Sequence, residues 1–198
     1  MPRVSDAKEK ILKAAKELFW LHNYGSVSVD DICNKSDVKK GSFYHFYKSK
    51  TDLCVACLDD HWNQLADQLD SIFSPAKDPL ARISNYANAV YDIQTELKKQ
   101  YGVVLGCPIS LSGTEMSNEE EKIRTKALEV FNSYNKYFES VIRDLKEKKL
   151  STIDDVELAA NRVHSYVLGV IYHAKIANDT ELIKSELEKG ILALLKVK

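Results

Sequence analysis

Residues 28–52, Ser-Val-Asp-Asp-Ile-Cys-Asn-Lys-Ser-Asp-Val-Lys-Lys-Gly-Ser-Phe-Tyr-His-Phe-Tyr-Lys-Ser-Lys-Thr-Asp, restrict the fold more than any other stretch of the chain. Ser28 precedes a short run in which Val29, Ile32 and Cys33 fall on one helical face, and its hydroxyl can accept from the open backbone donors of a first turn. Ser36-Asp37-Val38 then breaks the pattern with residues that favour turns and caps, and a second short segment opens near Lys39-Lys40-Gly41. Two helices of about two turns each, joined by a tight turn, predict a helix-turn-helix.

In the second segment Val38, Phe43 and Phe46 are large apolar groups able to anchor the helix to a core, which leaves Lys39, Lys40, Ser42, Tyr44 and His45 facing outward. Lysines neutralise phosphate charge, and hydroxyl, phenol and imidazole groups bond phosphates or base edges, so this face has the mixture a groove-reading helix needs. Lys48 and Lys50 follow at the start of the next helix, within reach of the same DNA backbone. Together with Ser28, these residues form the candidate DNA-binding set.

The string Val29-Asp30-Asp31-Ile32, then Val38, Gly41, Ser42, Tyr44, Phe46, Lys48-Ser49-Lys50 and Asp52-Leu53, resembles the amino-terminal signature of the TetR family of repressors over about residues 8–55. The resemblance implies an all-α protein. A three-helix helix-turn-helix DNA-binding domain is expected at residues 1–48, and a larger helical ligand-binding and dimerisation domain at 49–198. It further implies a homodimer through residues 152–196, with a double-stranded DNA operator and a small-molecule or electrophilic inducer as partners. A two-fold dimer matches a palindromic operator whose half-sites lie about one helical turn apart, ~34–36 Å. Without the resemblance, an internal core explains the same apolar stripes.

Composition agrees with a globular chain: 44% of the 198 residues are apolar. No apolar run approaches the roughly 18 residues of a membrane helix, and Met1-Pro2-Arg3-Val4-Ser5-Asp6 is not followed by a signal-peptide core, so a cytoplasmic location is expected. The net charge of −1 hides an asymmetry, because residues 1–53 hold 10 Lys+Arg against 7 Asp+Glu and the rest 18 against 22. A basic front end suits a polyanion. Cys33, Cys54, Cys57 and Cys107 are expected as thiols, since no secretion signal or small core calls for disulfides. Cys54-Val-Ala-Cys57 formally matches a CxxC, but it lacks a second ligand pair and a preceding strand and reads as packing.

The remaining periodicity is helical throughout. Residues 5–23 carry Ile11, Leu12, Ala15, Leu18 and Phe19 on one stripe, with Lys8, Lys10, Lys13 and Lys16 elsewhere, either solvated or near DNA phosphates. Gly25 is suited to a left-handed closing residue after this helix. A longer helix is predicted from Ser49 or Thr51 to about Phe73, a plausible lever for passing a signal, and another from Asp78-Pro79 along Leu80, Ile83, Ala87, Val90 and Leu97. Residues 118–148 follow with Ile123, Ala127, Val130, Phe131, Tyr134, Phe138, Val141 and Leu145 inward, and the last two helices are expected at about 152–177 and 179–196.

Between the 78–97 and 118–148 segments lies Tyr101-Gly102-Val103-Val104-Leu105-Gly106-Cys107-Pro108-Ile109-Ser110. Pro108 fits a helix's first position, which puts Cys107 at its cap, where backbone dipoles favour a thiolate. Two roles stay open for Cys107: a sensor of electrophiles or oxidants, or a small packing residue. Gly106-Cys107-Pro108 followed by Glu115-Met116-Ser117 resembles a segment of a TetR subgroup that responds to reactive electrophiles and regulates detoxifying reductases. Where that subgroup commonly has Gly-Asn, this chain has Ser110-Leu111. The candidate ligand-binding or sensing set is Cys107, His61, Trp62, Tyr91, Tyr134 and His173, with Lys175 a charge partner for a pocket group. The histidines lack metal-ligand spacing, so neither a metal nor a cofactor is expected.

An enzyme is disfavoured by the lack of a phosphate-cradling glycine loop, of clustered carboxylates and of a nucleophile with an assignable base. A DNA-binding regulator released by an inducer is the leading expectation. The alternative is an architectural or protein-binding helical dimer without ligand control.

Overall fold

The Ser28 hydroxyl accepts the Asp31 N–H at 3.1 Å while the Asp31 carboxylate accepts the Ser28 N–H at 2.8 Å, the reciprocal pair that starts the second helix. Side-chain caps also start α5 and α8. The computed structural model describes residues 4–116 and 120–197, and among the described residues the order is α1 (Val4–His22), α2 (Val29–Ser36), α3 (Lys40–Phe46), α4 (Lys50–Ile72), α5 (Pro79–Tyr101), α6 (Pro108–Glu115), α7 (Glu121–Glu147), α8 (Val156–Ala177) and α9 (Glu181–Leu194). The Asp78 carboxylate accepts the Leu80 N–H ahead of Pro79, and Gly102 closes α5 at φ 78. The Asp155 carboxylate caps α8 through the Leu158 N–H, so α8 begins four residues later than the expected 152; Ser151 instead bridges to Val197. The part of the expected 118–148 helix that falls on residues 117–119, and Ser117 of the quoted motif, lie outside the described residues.

Two compact units partition the chain: residues 1–64 with 108–130, and residues 65–107 with 131–198. The first unit takes in more chain than the expected 1–48 domain, because side chains from beyond residue 107 pair with the amino-terminal helices. Thr51 donates to Glu120 at 3.0 Å, Lys122 meets Asp52 at 2.7 Å and Lys126 meets Asp59 at 3.0 Å. Ile11, Ala15, Phe19, Ile32, Phe43, Leu53, Ile109 and Ile123 are buried in this unit. Gly113 lets α6 close on α7, since a Cβ there would lie 2.8 Å from that of Ala127.

In the second unit α5 and α8 both pack on α9, around Ile83, Val163, Val167, Ile171, Ile183, Leu187 and Ile191. The predicted inner stripe of α7 is found at Val141 and Leu145, with Phe138 between the rings of Phe73 and Tyr86. Among the described residues no helix is long and apolar enough to cross a membrane.

One local reading is corrected. The left-handed residue after α1 is Asn23 (φ 66), whereas Gly25 does not occupy that region. Glycine at 25 answers a different need, as shown below.

Candidate nucleic-acid interface and ligand region

Phe43 has no exposed surface, and burying such a ring stabilises by about 1.5–3 kcal/mol, enough to fix the rotation of a seven-residue helix. That rotation leaves Tyr44 half exposed, at 50%, with Lys39, Lys40, Gly41 and His45 exposed beside it. Asp37 supports the turn before α3 in the left-handed conformation (φ 53), and the Val38 N–H returns to the Cys33 carbonyl at 3.1 Å. Gly41 faces open space, so a backbone can approach it closely.

The eight expected contacts differ in what else they do. Lys39, Tyr44, His45 and Lys48 are exposed, and Ser42 is half-buried on the same helix. Lys40 pairs with Asp30 at 2.8 Å, and that carboxylate raises its pKa. Ser28 is committed to the α2 cap. Lys50 points inward: its ammonium donates to the carbonyls of Tyr24 (3.0 Å) and Val27 (2.9 Å) and sits 4.0 Å from the Tyr24 ring centroid. Of the lysines on α1, Lys16 likewise turns inward, pairing with Asp60 at 2.5 Å and Gln64 at 3.1 Å.

The six ligand candidates do not fall in one unit. His61 and Trp62 belong to the first, where His61 stands edge-on to Trp20 at 5.6 Å; burial, with Lys16 nearby, lowers its pKa to about 4. Cys54 and Cys57, in the same α4 segment, are buried thiols whose pKa values burial raises, that of Cys54 to about 12. Cys107, Tyr91, Tyr134 and His173 belong to the second unit. Of these, Tyr134 and Cys107 lie near Tyr86; burial first, then these neighbours, keep both phenols protonated. Tyr91 turns toward α9, donating to Glu181 at 2.7 Å, and His173 is exposed on α8.

Cys107 is a half-buried thiol immediately before α6. The strand of chain leading to it is held by side chains on both sides. Gln94, itself buried, accepts the Gly106 N–H at 3.0 Å and donates to the Gly106 carbonyl at 3.1 Å, and Gly106 has φ 80. Asn178 accepts the Val104 N–H at 2.9 Å, and Lys175 donates to the Leu105 carbonyl at 2.8 Å, with burial lowering the lysine's pKa. Sequence reasoning missed Gln94 and Asn135, because a polar residue on a helix carries no sign of a partner far along the chain. His164 was legible only as a histidine on the ligand-domain helices. It is buried among Phe131, Tyr134 and Phe138, with ring centroids at 4.8, 5.3 and 6.1 Å. Among the described residues no group of three or more His, Cys, Asp or Glu is placed to hold a metal ion.

The helix-turn-helix is decided by comparison. Residues 11–57 match the family described as bacterial regulatory proteins, tetR family. Over those residues the chain is similar to the tetR family. An HTH-type transcriptional regulator in the lacX 3' region of Lactococcus lactis subsp. lactis is 25% identical over 186 residues, covering 92% of this chain and 90% of that one. The HTH-type transcriptional repressor NemR of Escherichia coli K12 is 22% identical over 194 residues, covering 95% and 94%. The solved structure of E. coli NemR in its reduced form superposes with a TM-score of 0.82 at 20% identity, covering 98% and 100%, and that of regulatory protein TetR from Rhodobacter sphaeroides with 0.82 at 24%, covering 93% and 96%. The fold is that of these solved neighbours, and the match over residues 11–57 together with the HTH-type relatives supports a DNA-binding transcription regulator.

Proposed function

We propose that this regulator is a homodimeric repressor, paired through residues 152–196, that leaves a palindromic operator when a small molecule or an electrophile acts on its second unit. The observation that carries the DNA side is the outward set Lys39, Tyr44 and His45 on a helix locked by Phe43. Pairing is supported by apolar residues left exposed on α8 and α9: Leu158, Leu194 and above all Ile176 at 84%. A repressor relative and the fold support the direction of control. The inducer must favour the dimer shape whose reading helices are wrongly spaced, since equal affinity for both shapes shifts nothing.

The operator is obtained by selecting duplexes from the host genome, and binding is then measured by gel-shift titration. Tyr44→Ala should weaken the selected operator about tenfold, the scale of one lost base or phosphate contact, with the fold intact. Lys39→Ala should reduce the salt dependence of binding by about one phosphate contact. Lys50→Ala should weaken binding without changing that dependence, because its ammonium holds the Tyr24 and Val27 carbonyls. Unchanged affinity in Tyr44→Ala removes α3 from the interface.

For the electrophile, N-ethylmaleimide is the probe: the Cys107 thiolate adds across its double bond, forming one C–S bond while the adjacent carbon takes a proton. The parent should release the operator after treatment and Cys107→Ser should keep it, since Cys33, Cys54 and Cys57 are buried. Equal release by both proteins excludes Cys107 as the sensor.

A further inference from the structure

The carboxylate of Glu115, the last residue of α6, accepts two successive backbone N–H groups from the turn between α1 and α2: Tyr24 to Oε2 at 3.0 Å and Gly25 to Oε1 at 2.8 Å. Adjacent amides converging after a left-handed residue, here Asn23, form a nest for an anion, and a side chain 90 positions away fills it. Glycine at 25 leaves room for that carboxylate. A Cβ at that position would lie 2.8 Å from Glu115 Oε1, although the backbone there is open to any residue.

Tyr24 is held on every other side as well. Its ring lies 5.4 Å from that of Phe19 and under the Lys50 ammonium. Its carbonyl accepts from Lys50. Because the Thr51 hydroxyl donates to Glu120, it accepts from the Tyr24 hydroxyl at 3.2 Å, making a relay from Tyr24 through Thr51 to Glu120. The chain next passes buried Val27, whose carbonyl also accepts from Lys50, to Ser28, the cap of α2. The cap of the first helix of the helix-turn-helix therefore lies three residues beyond a turn held by Glu115.

We infer that Glu115 is a positioning residue for DNA reading: its carboxylate clamps the α1–α2 turn and thereby sets how α2 and α3 are presented to the operator. This rests on the operator-binding reading above. The inference gives the end of α6 a role beside that of Lys50 and Thr51 on α4, and α6 begins at the residue after Cys107.

The sign of the effect separates the clamp from simple electrostatics. Removing a negative charge should tighten binding to a polyanion, whereas losing the clamp should weaken operator binding. The test uses the full chain, the selected operator and a random duplex of equal length. Operator affinity should fall about tenfold in Glu115→Ala and by less in Glu115→Gln, which keeps one acceptor oxygen, while random-duplex binding holds or rises. Gly25→Ala displaces the carboxylate at constant charge and should reproduce the loss, with no further loss when combined with Glu115→Ala. Amide exchange at residues 24 and 25 should quicken in the same order.

Operator affinity equal to or above the parent in both Glu115 variants overturns the clamp and leaves the regulator reading in place, as does full additivity of the double variant. A parent chain that selects no duplex overturns the regulator reading, and the clamp with it.

Discussion

Asp144→Ala is expected to destabilise the second unit by about 3 kcal/mol, because it strands a buried guanidinium. Arg82 on α5 is only 2% exposed. Its Nη2 lies 2.6 Å from Asp144 Oδ2 and also donates to the Pro75 carbonyl at 3.3 Å, while Nε donates to the Lys77 carbonyl at 3.0 Å. Among the described residues Nη1 is buried without an acceptor, so no spare partner stands by to compensate. Breaking a buried pair from one side costs about 3–5 kcal/mol, and the 32% exposure of the Asp144 side chain, which lets water screen the site, places the cost at the low end. Replacing both partners by apolar residues should cost less than removing one. In Arg82→Met with Asp144→Ala no charge remains to be solvated, and Pro75 and Lys77 are exposed, so water can take their carbonyls. Urea denaturation of the parent, Asp144→Ala and the double variant measures this. A double variant less stable than Asp144→Ala alone contradicts the account.

Arg82 also shows where sequence reading stops. Apolar spacing marks Ile83 and Ala87 as inward, and the structure buries both, but the same spacing gives no reason to put an arginine beside them. Its burial depends on an aspartate 62 positions away on α7. Devices that act within a turn were readable in advance: the Ser28 cap, Pro79 in a first turn, Pro108 opening α6, the inner stripe of α7. The clamp of Glu115 on Tyr24 and Gly25 was not, since a glutamate at a helix end looks like any solvated acid. Gly25 was recognisable as a special position, but the cause inferred was backbone conformation when the structure gives close approach. Lys39, Lys48 and Lys50 were indistinguishable in sequence, and only the fold turns Lys50 inward. The signature ending near residue 53 suggested a domain boundary at 48, whereas the compact unit also takes in residues 108–130, held by acids and lysines with no motif of their own.

The stability of the second unit should fall between pH 6.5 and 4 through His164, on α8. Its ring is 6% exposed among Phe131, Tyr134 and Phe138, and burial away from water lowers its pKa to about 4 from an ordinary 6.5. Asn135 Nδ2 is committed to Asn161, so its Oδ1, 3.0 Å from His164 Nδ1, accepts the Nδ1 proton and fixes the neutral tautomer. Above pH 6.5 the ring is neutral folded or unfolded, and its native environment is fully available. As the pH falls below 6.5 the unfolded chain takes up a proton that the folded ring refuses, and the balance shifts toward unfolding. At ~1.4 kcal/mol per pH unit the complete loss is about 3 kcal/mol, of which about 2 kcal/mol is gone by pH 5. His164→Phe keeps an aromatic ring in the same shell and cannot protonate. Carboxylates elsewhere, and His61, titrate equally in both proteins, so the difference between parent and variant isolates this residue. Denaturation midpoints measured from pH 7 to pH 4.5 should show the parent losing stability faster than His164→Phe. Parallel curves would mean that the ring reaches water, and that the aromatic shell around it does not exclude a charge.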